Sequence, residues 1–516
     1  MTRSKPPCSP PARHAASPGD RPPASGARRI HLRFFAGILA MALVASACAG
    51  TTSTADSEAG DEPTSSTTDT STGDVEDPED TADEEREAAD QPIGGTSRTS
   101  DGPAAPPTSL PPAPESIPTG ALDPEIADKM ANLFSSDGLR WFEVEDLGET
   151  DDVRLAWPIT DAFRFLLGGE FDLVFSRALE NLTGEAIEGP TAWVGYQDLL
   201  LAWDVPAPPG YLEFKTDLFR RVDPGWEIFF DPESPLDWRE VNSGGVRKDG
   251  IPALNDPALT SGDNSGWADE TVVFGIEVGD EARAYPRLAM EVHELVNDTL
   301  GERRVGVPYC TLCKSATAYL TDEPPDGFDT IDLRTSGLLR LSNKLMYDVA
   351  TDSLFDQFFG QALTGPLREA GYELTQLPLV TTTWGDWRAT HPSSTIITTN
   401  AGGDDVDYDR ESFLDGRDAN GPIFPVGEVD DRLGAQTTVL GVESPQGSAV
   451  AFPVDLAKAE LAAGRTVEAD GVELVDSAGG LLARVIGTGE SVRGHESFWF
   501  AWAQFRPDTG IWESGP

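Results

Sequence analysis

Apolar positions change texture along the chain. Between residues 124 and 203, in PEIADKMANLF, PITDAFRFLLGGEFDLVFSRAL and GYQDLLLAW, they recur every three or four residues. That is the period of a helix with one buried face. Ile159, Phe163, Phe165 and Leu166 surround Thr160, a candidate cap, and the spacing predicts four or five short helices ending near Trp203. A Pro/Gly-rich connection, VPAPPGYLEF, follows. From about Ser243 short β-branched and aromatic runs are separated by Gly, Asp and Pro: ETVVFGIEV, EARAYP, RVGVPYC, SATAYL, STIITT, QTTVLGVE, SAVAFP, LLARVIG, FWFAWAQF. Such spacing predicts a mostly β domain with a few helices, among them LAMEVHELVND (Leu288–Asp298).

The β segment contains an internal echo. VVFGIEVGDEARAYPRLAM (Val272–Met290) aligns with TVLGVESPQGSAVAFPVDLA (Thr438–Ala457) as strand, turn, strand, Pro and helix start. Pro286 and Pro453 suit a first helical turn. The fold expected is therefore α+β. A mostly β C-terminal domain (241–516) carries an internal hairpin-plus-helix repeat, and a small mainly helical region (121–240) precedes it.

The N-terminal part has a different character. A basic stretch ending at Arg33 leads into FFAGILAMALVASA (Phe34–Ala47), shorter than the ~20 apolar residues of a permanent span and suited to a cleaved signal peptide over residues 1–47. It ends Ala45-Ser46-Ala47-Cys48, which resembles a bacterial lipobox, so Cys48 is the expected lipidation site. Arg28-Arg29 followed by Leu32 and Arg33 resembles a twin-arginine signal, and an ordinary Sec signal fits as well. Residues 48–120 are rich in Ser, Thr, Asp, Glu and Pro with almost no large apolar residue. They cannot bury enough surface to offset chain entropy and read as a disordered acidic tether. The expected setting is the extracytoplasmic face of the cell membrane, held by a lipid anchor.

Charge narrows the partners. The 516 residues carry 38 Lys+Arg against 88 Asp+Glu, a formal net charge of −50, which repels phosphate backbones and excludes nucleic acid as an expected partner. No GxSxG, P-loop, HExxH or Rossmann fingerprint is present. Asp405-x-Asp407-x-Asp409 resembles the start of a calcium loop, but Arg410 replaces the turn glycine and Gly416 stands where the bidentate Glu belongs.

The cysteines carry the candidate chemistry. Of Cys8, Cys48, Cys310 and Cys313, the first lies in the signal and the second is the lipidation candidate. Cys310-Thr311-Leu312-Cys313 remains, and one CxxC in an exported protein has three readings: a local disulfide, a dithiol redox centre, or half of a soft-metal site. The motif follows a strand and returns to β pattern, without the helix N-terminus that lowers a thiol pKa in thioredoxin-like sites. A zinc knuckle needs a second ligand pair. Two thiolates completed by His or Met suit Cu(I). His293, in the helical LAMEVHELVND, is the expected partner, and Met346 in KLMYD is a further soft ligand. His391 reads as a helix-end residue and His495 as part of a turn, RGHESFWF. Trp384, Trp387, Trp499 and Trp502 read as core.

GGVRKDGIPAL, FGIEVGDEARAYP, VHELVNDTLG, VPYCTLCKSATAY, SNKLMYDVATDSLFDQFFGQALTGPL, TTWGDWRATHP and FWFAWAQFRPDTGIW occur in one order. Together they resemble the bacterial domain-of-unknown-function family 3179 over roughly residues 240–512. Cys310, Cys313 and His293 match the family pattern, while Thr311 and Lys314 depart from it. The resemblance implies an exported domain and no particular reaction. Two functions of different class follow from the residues. One is a membrane-tethered protein exchanging electrons or carrying copper or zinc through Cys310, Cys313, His293 and Met346. The other is a non-catalytic envelope module that binds a ligand or protein, with the CxxC as a local disulfide.

Overall fold

The computed structural model describes residues 110–515 except Asp137, Leu167, Glu170, Pro190, Asp404, Asp405, Asp407 and residues 409–420. The signal segment, Cys48 and the tether up to residue 109 lie outside these residues, as do the three aspartates of the calcium-like run. Residues 110–120 contain no regular element, yet they are docked. Trp203 Nε1 donates to the Pro111 carbonyl at 2.7 Å, and an Arg154 guanidinium nitrogen donates to Gly120 O at 2.7 Å.

The helical region is built from Pro124–Ala131, Trp141–Gly148, Ala156–Leu166, Asp172–Thr183, Ala192–Ala202 and Tyr211–Val222. Asp123 caps the first with its side chain on Glu125 N, and Pro124 opens the helix. Ala156–Leu166 is the central element, buried continuously from Ala156 to Phe163. Thr160 sits inside this helix rather than capping it. Its hydroxyl donates back to Trp157 O at 2.9 Å, the local alternative that lets a buried Thr remain helical. The core of these helices continues into the first β-sheet through Val241, Leu338, Leu345, Tyr347 and Leu354.

Beyond residue 240 the described residues form five sheets that make a five-bladed β-propeller. The first is Val241–Ser243, Leu333–Arg340, Asn343–Asp348 and Leu354–Asp356; the second centres on Leu295–Leu300 and Arg303–Cys310. The third runs Val380–Thr383, Val272–Val278, Glu281–Pro286, Thr395–Ile397 and Leu259–Ser261. The fourth runs Gly494–Phe498, Thr438–Glu443, Ala449–Pro453 and Gly510–Ile511, and the fifth is Val467–Ala469, Val472–Ser477 and Gly480–Val485.

This architecture corrects the expected hairpin-plus-helix repeat. The two echo segments are only the middles of the third and fourth sheets. Each hairpin is completed by a strand, a short Trp-rich helix and a second strand supplied later in the chain. Val380–Thr383 pairs antiparallel with Val272–Val278, and Thr395–Ile397 pairs parallel with Glu281–Pro286. Gly494–Phe498 and Gly510–Ile511 stand in the same relation to the second hairpin. A lone hairpin has an open face and is marginal in water. Here the face is covered by Trp387 of Trp384–Thr390 and Trp502 of Trp499–Phe505, both 1% exposed. Pro286 and Pro453 act as N-caps in extended backbone, not as first-turn residues.

The predicted helix Leu288–Asp298 is also shorter than expected. The helix is Arg287–His293, Glu294 turns into the left-handed region at φ 54°, and Leu295–Leu300 is a strand. The helical spacing of LAMEVH runs directly into a buried strand, whose apolar positions mimic continued periodicity.

Candidate thiol site

The Cys hairpin is positioned by the second sheet. Leu295–Leu300 turns through Gly301 and Glu302, both at positive φ (57° and 62°), into Arg303–Cys310. Two consecutive left-handed residues match the twist of a tight hairpin. Cys310 ends that strand and faces Ser315 in register, so Thr311–Lys314 is the connecting turn, with Lys314 at φ 53°. The turn closes on a Cys310–Cys313 disulfide whose Cα atoms are 5.6 Å apart. Both cysteines are buried, at 2% and 0% exposed, among Phe358, Val439, Trp499 and Phe500. Behind them the fourth sheet donates Phe498 N–H to the Cys313 carbonyl at 2.9 Å.

One polar chain reaches the sulfurs. Cys313 Sγ lies 3.3 Å from Ser315 Oγ, which donates to Gln357 Oε1 at 2.9 Å. The Gln357 side-chain amide donates to Thr317 Oγ1 at 3.0 Å, and the Gln357 main-chain carbonyl accepts from Tyr319 OH at 2.8 Å. On the other side of the turn, Thr311 Oγ1 donates to Glu294 Oε1 at 3.1 Å. The second oxygen of that carboxylate accepts from Lys344 Nζ at 2.8 Å, and the same ammonium donates to Glu294 O and Thr335 Oγ1. Burial pulls the Lys344 pKa down against the attraction of Glu294.

Residues 248–488 match the family model described as "Protein of unknown function (DUF3179)". Over that span the chain is similar to this family. The matched span contains Cys310, Cys313, His293 and Met346, and ends before the last strand–helix–strand of the fourth sheet. No curated protein and no solved structure matches the chain at a significant level.

Within the matched span the expected ligands are dispersed. His293 is 6% exposed; Nδ1 lies 2.9 Å from Pro252 O, and Nε2 lies 2.6 Å from Tyr408 OH. A carbonyl neighbour requires Nδ1 to carry the hydrogen, so Nε2 accepts from the tyrosine and neither ring nitrogen is free. Burial lowers the His293 pKa, opposed by the bond to Pro252. Met346 is fully buried among Leu295, Leu333 and Phe355, a different cluster from that of the cysteines. Among the described residues no group of three or more His, Cys, Asp and Glu side chains is arranged to hold a metal ion.

The histidine that does stand beside the cysteine cluster is His495. It lies on the strand Gly494–Phe498, not in a turn, and is 2% exposed. Its ring meets Phe358, a cysteine neighbour, edge-on at 4.4 Å between centroids. Burial, then the charges of Arg506 and Arg493, push its pKa down to about 3, so it is neutral. Buried His495 and Ser497 alternate with half-buried Gly494, Glu496 and Phe498, but the buried positions are polar, so GHESF carries no apolar alternation to reveal the strand. His391 ends the helix Trp384–Thr390 as expected, stacked on Trp387 at 4.0 Å. Trp384, Trp387, Trp499 and Trp502 are all core.

Proposed function

We propose that this protein is an exported, lipid-anchored binding module in which Cys310–Cys313 is a local disulfide rather than a catalytic or metal centre. The observation that carries the reading is the setting of the sulfurs: joined to each other, buried in an apolar cluster, and without a third ligand among the described residues. Reactive dithiols instead stand partly exposed in electropositive surroundings. So short a loop removes little chain entropy, so the bond chiefly holds the turn between the second and fourth sheets. The test is a thiol count with metal analysis on purified protein. No thiol is expected to react before or after unfolding without reductant, and no stoichiometric metal is expected. Copper or zinc at one per chain, or two thiols reactive in the native state, sinks the reading.

The competing reading is thiol exchange or soft-metal binding through the same pair. It is favoured by the Ser315 hydroxyl 3.3 Å from Cys313 Sγ, close enough to turn its hydrogen from Gln357 to a thiolate, and it predicts those overturning outcomes.

Anchoring rests on Phe34–Ala47 and the lipobox-like residues before Cys48. None of the described helices is long and apolar enough to cross a membrane, so attachment in this reading depends on acyl chains. Cys48→Ser is expected to abolish incorporation of labelled fatty acid and to move the protein from the membrane to the soluble fraction. Equal labelling of the variant contradicts the anchor.

A further inference from the structure

A second site lies where the first, second and fourth sheets meet. A cavity of about 380 Å3 is lined there by Arg340, Arg493 and Arg506 and by Asp356, Glu373 and Glu443, a size within the ~300–1,000 Å3 range of small-molecule sites. Charges of both signs are equal in number, and the three arginines are already paired. Arg506 Nε donates to Glu443 at 3.0 Å, Arg493 pairs with Glu373, and Arg340 Nε donates to Glu240 at 2.7 Å. The guanidinium groups are also held against rings: Arg506 stands 3.9 Å over Phe359, and Arg340 stands 5.1 Å over Phe505. Both rings line the cavity.

Two buried polar groups adjoin this pocket. The Asp356 carboxylate is 5% exposed and accepts from the backbone N–H groups of Phe358 and Phe359. His495 sits behind Phe359, at 6.4 Å between centroids, and its Nε2 has no hydrogen-bond partner among the described residues.

We propose that this cavity binds a neutral polyhydroxylated ligand, a small saccharide. Paired guanidinium and carboxylate groups present donors and acceptors side by side, and a hydroxyl is both at once. The amides of Gln361 and Gln504, which also line the cavity, offer the same dual character. A charged ligand instead breaks existing pairs, and an anion also meets a chain of net charge −50.

The proposal rests on the binding-module reading and names its ligand class. The test is calorimetry and saturation-transfer NMR on the full-length protein with D-glucose, N-acetyl-D-glucosamine and trehalose, against D-glucuronate and L-glutamate. Saturable binding of at least one neutral sugar is expected. Gln361→Ala, whose exposed side chain can be removed with every ion pair left in place, is expected to weaken it roughly fivefold with unchanged thermal unfolding. Arg506→Ala is expected to weaken it more than about tenfold. Binding of the charged probes alone overturns the saccharide assignment and leaves the module reading standing. No binding of any probe, or binding indifferent to both variants, overturns this cavity as the site. The thiol and metal measurements judge the disulfide reading separately.

Discussion

Lys215→Met is expected to lower the unfolding free energy by about 3–5 kcal/mol, the usual cost of stranding one partner of a buried ion pair. Lys215 and Asp161 have side chains 0% and 1% exposed, with Nζ and Oδ1 3.2 Å apart. Tyr211 OH donates to Asp161 Oδ2 at 2.7 Å, and the Gln197 amide donates to Oδ1 at 3.1 Å. Without the ammonium, the carboxylate keeps only neutral donors in the core of the helical region. Asp161→Asn added to Lys215→Met is expected to restore more than half the loss, because the neutral amide needs no counter-charge while its oxygen still accepts from Tyr211.

The pH dependence gives a second readout. Burial already raises the Asp161 pKa, and Lys215 is the main influence lowering it, so removing Lys215 raises it further. A carboxyl whose folded pKa lies above its unfolded value is protonated preferentially in the folded state. Its contribution is best in acid and declines as pH rises between the two values. The Lys215→Met deficit is therefore expected to be smaller at pH 5 than at pH 8 in urea unfolding. A deficit equal at both pH values removes the ion pair as its cause.

Gly441→Ala and Gly275→Ala are each expected to cost about 3 kcal/mol, the upper part of the usual range for overpacking a filled core. A Cβ at Gly441 would stand 2.2 Å from the Trp502 ring, and one at Gly275 would stand 2.3 Å from the Trp387 ring. Neither glycine has positive φ, so the cost is collision, not backbone conformation. Gly510→Ala is the control: its new Cβ meets only Ala449 O, at 3.9 Å, and its effect is expected within about 0.5 kcal/mol. Thermal unfolding of the three variants checks this. A near-neutral Gly441→Ala contradicts the close approach of the Trp helix to the fourth sheet.

Local pattern determined much of this protein. Helical spacing between residues 124 and 203 and β alternation beyond 243 follow from single side chains being buried on one face, which a linear sequence displays. The CxxC after RVGVPY, the core Trp pairs and the helix-end His391 were legible for the same reason. Sheet assembly was not. Val380–Thr383 and Gly494–Phe498 reach hairpins that begin some hundred and some fifty residues earlier, and no local period encodes which distant strand completes a sheet. Tertiary packing likewise decided the fate of the candidate ligands. His293 follows the strand–helix order expected of it, but both nitrogens are taken by Pro252 and Tyr408, contacts 41 and 115 residues away in sequence. His495, the most remote from CTLC of the three histidines among the described residues, lies beside the cysteine cluster because the fourth sheet packs behind the second. The three arginines of the cavity come together only where the sheets meet, since charge spacing along a chain carries no information about convergence across it.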